Sequence, residues 1–356
     1  MPAARSAAIA RALTAWYDLV RRDLPWRRTR DPYAIWVSEI MLQQTRVDTV
    51  VPYYQRFMQR FPDARALASA PLDDVLHAWS GLGYYRRARQ LHLAASEVVE
   101  RHAGRVPETV TELSSLSGIG RYTAGAIASI AYDAREPLVD GNVMRVLARL
   151  YGIDEDMRAQ AGQKRAWAIA AELVPETEPG RFNQALMELG ATVCTPRAPS
   201  CDRCPLARTC VALREGSVDR LPRLGARRAP TPVRAAAAVV VHRASGRVLL
   251  GRRPPDGLYG GMWEPPMVEV GQRIEEHIAV HRAFEFLPRG AHLEQAGEVT
   301  HVLSHRRMEI MVLRAVVTRA GRCAKRPSPY VELAWQSPPA VALSTLARKL
   351  LRAGEG

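Results

Sequence analysis

The stretch Cys194-Thr195-Pro196-Arg197-Ala198-Pro199-Ser200-Cys201-Asp202-Arg203-Cys204-Pro205-Leu206-Ala207-Arg208-Thr209-Cys210 holds four of the five cysteines in this chain. Its spacing is C-x6-C-x2-C-x5-C. Spacing this tight lets four thiolates converge on one metal centre, and in a reducing compartment such a group means metal before disulfides. Four cysteines can also close a tetrahedral zinc site. Zinc modules, however, usually present two C-x2-C pairs, and this chain has one. Each interval between ligands carries one arginine, Arg197, Arg203 or Arg208, an arrangement suited to phosphate contact. Cys323 is left over and reads as an inert thiol.

Working outward, residues before about 216 read as helical. Apolar positions recur at helical spacing in Val143, Val146, Leu147 and Leu150, and again in Leu186, Leu189 and Val193. From Asp219 to Val233 the chain turns to Pro222, Gly225, Arg227, Arg228, Pro230 and Pro232, with little to bury: a linker. Beyond it the pattern becomes that of strands. Ala235 to His242 is a continuous apolar run, Ala244-Ser245-Gly246 a turn, Val248-Leu249-Leu250 a returning strand, and Val312 to Val317 another. No internal repeat or low-complexity tract stands out.

The chain has 356 residues, enough for two or three cored domains, and 50 Lys+Arg against 36 Asp+Glu, a formal net charge of +14. That excess suits a polyanionic partner, because each neutralised phosphate releases counterions; a solvated basic surface is the plainer explanation of the same charge. The longest apolar stretch, Ala235 to Val241, falls far short of the roughly 20 residues of a membrane span. Met1 to Ala15 is rich in Ala and Arg and has the look of a transit peptide, but the pattern runs on through Trp16, Leu19 and Val20, which favours a first helix. The expectation is a cytoplasmic, nucleoid-associated protein.

A second motif is Leu116-Ser117-Gly118-Ile119-Gly120-Arg121-Tyr122-Thr123-Ala124-Gly125. Two glycines two apart allow a tight turn whose amides point outward, and a helix starting near Tyr122 adds its N-terminal dipole; together they make an anion site. A G-x-G pair alone is usually just a turn. The whole frame resembles the helix-hairpin-helix of the endonuclease III superfamily of DNA glycosylases, and the cysteine spacing resembles that superfamily's cluster loop. The resemblance implies a 4Fe–4S cluster on Cys194, Cys201, Cys204 and Cys210, with a shaping role, and DNA contact at Gly118, Ile119 and Gly120.

Further stretches are Leu24-Pro25-Trp26-Arg27, Asp31-Pro32-Tyr33, Trp36-Val37-Ser38-Glu39-Ile40-Met41-Leu42-Gln43-Gln44-Thr45, Gly81-Leu82-Gly83-Tyr84-Tyr85 and Val139-Asp140-Gly141-Asn142-Val143. With the two motifs above they resemble the MutY-type adenine DNA glycosylases over residues 24 to 210 and on into the C-terminal part. The implied reaction leaves a cationic sugar and needs the departing adenine protonated at N7. A carboxylic acid whose pKa is raised by burial can donate that proton. Glu39, amid Ile35, Trp36, Ile40 and Met41, is the candidate, and the resemblance assigns it this role; a surface helix glutamate is the ordinary alternative. Asp140 is the second carboxylate, facing the oxocarbenium-like sugar as in glycoside hydrolysis, although a D-G turn or a helix cap before Val143 explains it too.

Other roles follow from the same resemblance. Tyr122 occupies the place where strand-cleaving relatives carry a Schiff-base lysine, which implies a monofunctional enzyme; a core aromatic is the simpler account. Asn142 orients Asp140 or a water. Gln44 and Tyr84 fill the gap left by a flipped base and hold its partner. Trp26, Arg27, Leu42 and Gln184 contribute to substrate binding, Trp26, Arg27 and Gln184 lining the adenine pocket. Glu188, in the same helix as Gln184, receives no role.

The C-terminal stretch Leu258-Tyr259-Gly260-Gly261-Met262-Trp263-Glu264-Pro265 resembles the region ahead of the Nudix box in MutT-like domains. The R-E-x2-E-E core that binds a catalytic divalent metal is missing, only Glu275-Glu276 remaining, so the resemblance implies a retained fold without its hydrolase site. In MutY-type enzymes this domain reads 8-oxoguanine through an aromatic-Ser-His loop, here Leu303-Ser304-His305, making Ser304 and His305 the reading residues.

The expected architecture is multidomain. An iron–sulfur cluster domain spans residues 1–29 plus 135–216, a six-helix hairpin domain 30–134, a linker 217–232 and an α+β Nudix-like 8-oxoguanine recognition domain 233–356. The expected function is a monofunctional base-excision glycosylase for adenine opposite 8-oxoguanine or G, acting as a monomer on double-stranded DNA, with no membrane partner. The competing reading is a bifunctional endonuclease III-like enzyme for oxidised pyrimidines. A non-catalytic DNA-binding relative would lack Glu39 or Asp140, and a nucleotide pyrophosphohydrolase would need the missing carboxylates.

Overall fold

The computed structural model describes residues 3–226, 229–270, 284, 292–318 and 329–355. Cys323 and Glu275-Glu276 lie outside the described residues. By contacts the chain divides into two units: Met1–Ser69 with Gln90–Ala226, and Ala70–Arg89 with Arg227–Gly356. The contacts do not separate the two helical lobes expected from sequence, and they assign a short helical segment to the C-terminal unit.

The first unit is helical. It contains α1 (Ala3–Val20), α2 (Pro32–Leu42), α3 (Val47–Arg60) and α4 (Ala64–Ser69). The chain leaves it for α5 (Leu72–Trp79) and returns within α6 (Arg86–His102). Then follow α7 (Val110–Ser114), α8 (Arg121–Tyr132), α9 (Gly141–Tyr151), α10 (Gln160–Leu173), α11 (Pro179–Thr192) and α12 (Val211–Arg214). The expected helical periodicities are present: Val143, Val146, Leu147 and Leu150 of α9, Leu186 and Leu189 of α11 and its C-cap Val193 share one core with Ile9, Leu13 and Tyr17 of α1. No helix among the described residues is long and apolar enough to cross a membrane.

Local chemistry sets the helix starts that matter for the site. Asp31 caps α2 by accepting the Tyr33 amide at 3.1 Å, with Pro32 at the first helical position. Thr109 caps α7 by accepting the Glu112 amide at 3.3 Å, while its hydroxyl donates to the Glu112 carboxylate at 2.6 Å. Gly120 caps α8, and the hairpin before it is braced by Glu97, which accepts both the amide of Ser117 at 2.8 Å and its hydroxyl at 2.6 Å. Gly118 sits at φ +76°, and a Cβ there would come 2.6 Å from Gln90 Cβ, so only glycine fits the turn.

The second unit is α+β. Strands β1 (Thr231–His242), β2 (Val248–Arg252), β3 (Trp263–Glu264), β4 (Met267–Val270), β5 (Glu294–Val302), β6 (Arg306–Val317) and β7 (Glu332–Gln336) form one sheet in the order β3-β2-β1-β6-β5, with β4 against β1 and β7 against β2. β1 begins two residues before the expected start of the C-terminal domain at 233. It pairs parallel with β6 and antiparallel with β2 and β4. The two-residue period explains its unbroken apolar run: Ala235, Ala237 and Val239 enter the core beneath α13 (Thr345–Ala353), while Ala236, Ala238 and Val240 enter the core on the opposite face. Helix α5 belongs here. Ser80 donates to the Leu343 carbonyl at 2.8 Å, and Arg348 reaches Ser80 Oγ at 2.7 Å.

Candidate active site

Helix α2 is apolar around its whole circumference, and Tyr33 through Met41 are all buried. Glu39 is carried into that environment and is 5% exposed. Burial pushes its carboxyl up to about 7; the Tyr122 hydrogen bond and the charge of Arg27 restrain the rise, and the charge of Asp140 adds to it. The Tyr122 hydroxyl donates to Glu39 Oε2 at 2.6 Å. Desolvation, together with these carboxylates, holds the Tyr122 phenol well above its ordinary range.

Asp140 caps α9, so the cap and the second carboxylate are one residue. Its Oδ1 accepts the Val143 amide at 2.7 Å, and its Oδ2 accepts the Asn142 side-chain amide at 3.2 Å. Burial raises Asp140 above its ordinary value, while the amides of Val143 and Asn142, the Asn142 side chain and the charge of Arg145 oppose the rise. The environments thus separate the two carboxyls: one is buried among apolar side chains with one donor, the other sits on a helix N-terminus with several.

The contacts continue from Asp140 to the cysteine loop. Asn142 Oδ1 accepts from Arg145 at 2.8 Å, and Arg145 Nε donates to the Cys194 carbonyl at 2.8 Å. One turn on, Arg149 is 2% exposed, donates to the Thr195 carbonyl at 2.7 Å and lies 3.4 Å from Cys194 Sγ. Cys194, Cys204 and Cys210 pack against the helical core. Burial raises the Cys201, Cys204 and Cys210 thiols, Cys204 to about 11, and the charge of Cys194 adds to each rise. Among the described residues no three His, Cys, Asp or Glu are close enough to hold a single metal ion. Arg197, Arg203 and Arg208 are exposed.

Between α2, α8, α9 and α11 lies a cavity of about 690 Å³. Of the residues expected from sequence it brings together Trp26, Arg27, Glu39, Leu42, Gln44, Gly118, Gly120, Tyr122, Asp140, Asn142 and Gln184. Gln44 is exposed with φ 57°, and Trp26 is buried edge-on against Tyr54. Ile119 is buried in the hairpin and is absent from the lining. Tyr84, Ser304 and His305 belong to the second unit and are all exposed. There Arg87 stacks on the Tyr84 ring, and Ser304 Oγ lies 3.4 Å from His305 Nδ1 in the β5–β6 turn.

Sequence reading missed four residues of this site and left a fifth, Glu188, unassigned. Tyr17 donates its hydroxyl to Gln184 Oε1 at 3.2 Å. Arg22 and Glu188 line the cavity. Arg145 and Arg149 tie α9 to the cysteine loop. The one available signal was spacing: Glu188 follows Gln184 by one helical turn, and Arg149 follows Arg145 by one turn on a helix whose neighbouring positions are buried.

The family models agree with the two halves of the fold. That of the HhH-GPD superfamily base excision DNA repair proteins matches residues 37–172, and that of the NUDIX domain matches residues 236–353. A solved thermostable thymine-DNA glycosylase superposes with a TM-score of 0.54 at 29% identity, covering 59% of this chain and 97% of that one. The class is therefore that of helix-hairpin-helix base-excision glycosylases, here with a Nudix-like C-terminal domain. Curated relatives narrow it further. The adenine DNA glycosylase of Mus musculus is 38% identical over 397 aligned residues, covering 96% of this chain and 76% of the relative. That of Homo sapiens is 36% identical, covering 97% and 73%. The chain belongs to the adenine DNA glycosylase family, and it is a hydrolase of the N-glycosyl bond of adenine in DNA.

Proposed function

We propose that this enzyme removes adenine opposite 8-oxoguanine, and opposite G, by a monofunctional route that leaves an abasic site. The observation that carries the chemistry is the pairing of Glu39, raised to about 7, with Asp140 across one cavity. Glu39 gives its proton to adenine N7. The C1′–N9 bond breaks with its electron pair going to the base, and the sugar becomes an oxocarbenium ion that Asp140 stabilises. Water then adds at C1′, and its proton returns to the Glu39 carboxylate. Tyr17 occupies the Gln184 oxygen, which leaves the Gln184 amide nitrogen for an acceptor edge of the base.

Strand cleavage needs an amine for a Schiff base. Among the described residues the cavity lining holds Tyr122 and no lysine, which supports the monofunctional reading over a pyrimidine-damage enzyme. Ser304 and His305 would read the opposite base, with Tyr84 and Gln44 filling the stack; all four are exposed, as DNA contact requires. The protein acts as a monomer on duplex DNA.

The cysteine loop suits a 4Fe–4S cluster held by Cys194, Cys201, Cys204 and Cys210. Cys194, Cys204 and Cys210 are partly buried against the helical core, and the loop has one C-x2-C pair where zinc modules usually present two, which supports a cluster over a single zinc ion. When bound, the cluster would supply loop shape and a fixed charge beside Arg149.

Single-turnover excision on end-labelled duplexes tests the proposal. Alkali-dependent breakage at adenine, fastest opposite 8-oxoguanine, is expected. Alkali-independent cutting at thymine glycol paired with adenine would overturn it.

A further inference from the structure

A charge cluster on the cavity wall takes no part in the chemistry above. Glu188 of α11 is 1% exposed. Its Oε1 accepts the Arg22 amide at 3.2 Å and Arg22 Nε at 2.8 Å; its Oε2 accepts Arg22 Nη2 and Arg27 Nη2, each at 2.7 Å. A carboxylate offers about four lone-pair sites, and all of them are spent on these two residues. Glu188 is therefore not placed to accept from the base. Arg27 is pinned as well: its Nη1 donates to the Arg22 carbonyl at 3.1 Å, and its guanidinium lies over the Tyr17 ring at 5.4 Å.

Protonating adenine makes the base cationic, and breaking the glycosyl bond makes the sugar cationic. Arg22 and Arg27 line the same cavity, and two uncompensated guanidinium groups would oppose both charges. An uncompensated Arg27 would also hold the Glu39 proton less tightly. We infer that Glu188 is a positioning residue and counter-charge: it fixes Arg27 in the wall and cancels enough of the arginine field for the cavity to tolerate a protonated adenine. This inference rests on the reading of Glu39 as the acid.

The groups involved are few. Glu39 is faced by Tyr122 from α8, by Asp140 at the start of α9 and by Arg27. Glu188 is faced by Arg22 and Arg27, with Tyr17 of α1 beside them. Burial alone would raise Glu188; the hydrogen bonds and charges of the two arginines outweigh it and hold the carboxyl at about 2, so it is ionised throughout the working pH range.

The test compares single-turnover excision against pH for the wild type and for Glu188→Gln, Glu188→Asp and Arg22→Gln, with duplex binding measured in parallel. Glu188→Gln keeps the shape and removes the charge. Its alkaline limb is expected to move about one pH unit toward acid, with a rate about tenfold lower above the limb, while duplex affinity holds or tightens. Glu188→Asp should restore the limb. Arg22→Gln removes one cation and should move the limb toward alkali; the Arg22 side chain is 37% exposed, so this variant decides the matter if Glu188→Gln does not fold. Unmoved limbs in Glu188→Gln and Arg22→Gln would overturn the inference. Full excision by Glu39→Gln would instead overturn the acid assignment beneath it.

Discussion

Glu39→Gln should make the protein more stable at alkaline pH while abolishing excision. In the folded chain the Glu39 carboxyl is raised from the ordinary 4.5 to about 7, with desolvation as the leading cause. A carboxyl raised by folding binds its proton more tightly in the native state, so its contribution is most favourable below pH 4.5. Stability then declines as pH rises from 4.5 through 7 and levels off above. At 1.36 kcal/mol per unit, the shift amounts to about 3 kcal/mol at pH 8. Glutamine carries no charge to desolvate, and its carbonyl can still accept the Tyr122 hydroxyl. Urea unfolding of both proteins at pH 5 and pH 8 isolates the effect, because the difference of differences cancels every other titrating group. The variant should gain about 2.5 kcal/mol relative to wild type between the two pH values, because a part of the effect is already present at pH 5. An unchanged difference would show that Glu39 titrates as an ordinary exposed carboxyl, and the general-acid argument would fall with it. The expected gain would instead mark Glu39 as a stability cost retained for function.

Three further outcomes are expected. Tyr122→Phe removes the 2.6 Å hydrogen bond that restrains Glu39, so the alkaline limb of the excision profile should move up in pH; a limb moving down would contradict the geometry. Arg145→Gln breaks the path from Asn142 to the Cys194 carbonyl; single-turnover kinetics should show at least a tenfold loss, and thermal unfolding a loss of about 1–3 kcal/mol from unpaired acceptors. Gly125→Ala would drive a Cβ into the Pro137 carbonyl oxygen inside the buried face of α8; denaturation should show about 1–3 kcal/mol of destabilisation, and a neutral result would mean that the loop at Pro137 can move away from the helix.

Much of the fold was legible because it rests on local rules. The apolar run Ala235–His242 reads as a strand, and it lies within β1, where Ala235 to Val240 are buried. Asp140 reads as a cap or a catalyst, and its two oxygens serve Val143 and Asn142 at once. The Gly118 turn is required by its own φ and by Gln90. What stayed hidden depends on partners far along the chain. Glu188 has ordinary helix neighbours, and only folding brings Arg22 and Arg27 to fill its lone pairs. Arg145 and Arg149 look like surface arginines until the carbonyls of residues 190 to 221 close around them. The grouping of Ala70–Arg89 with the C-terminal residues was illegible for the same reason, since α5 carries an ordinary amphipathic pattern and its partners lie far along the chain.

That grouping bears on how such a protein can be divided or inherited. A gene cut at the basic, proline-rich stretch near residue 227 looks clean on paper, yet Ala70–Arg89 would stay with the wrong half. Ser80 and Tyr85, both buried in the whole chain, would lose the carbonyl of Leu343, and Ser80 would also lose the side chain of Arg348. Asp73 would lose Arg252. The C-terminal half is therefore not an interchangeable cassette: it and a loop of the helical half form one heritable unit, and substitutions in α5 and β2 are expected to rise and fall together.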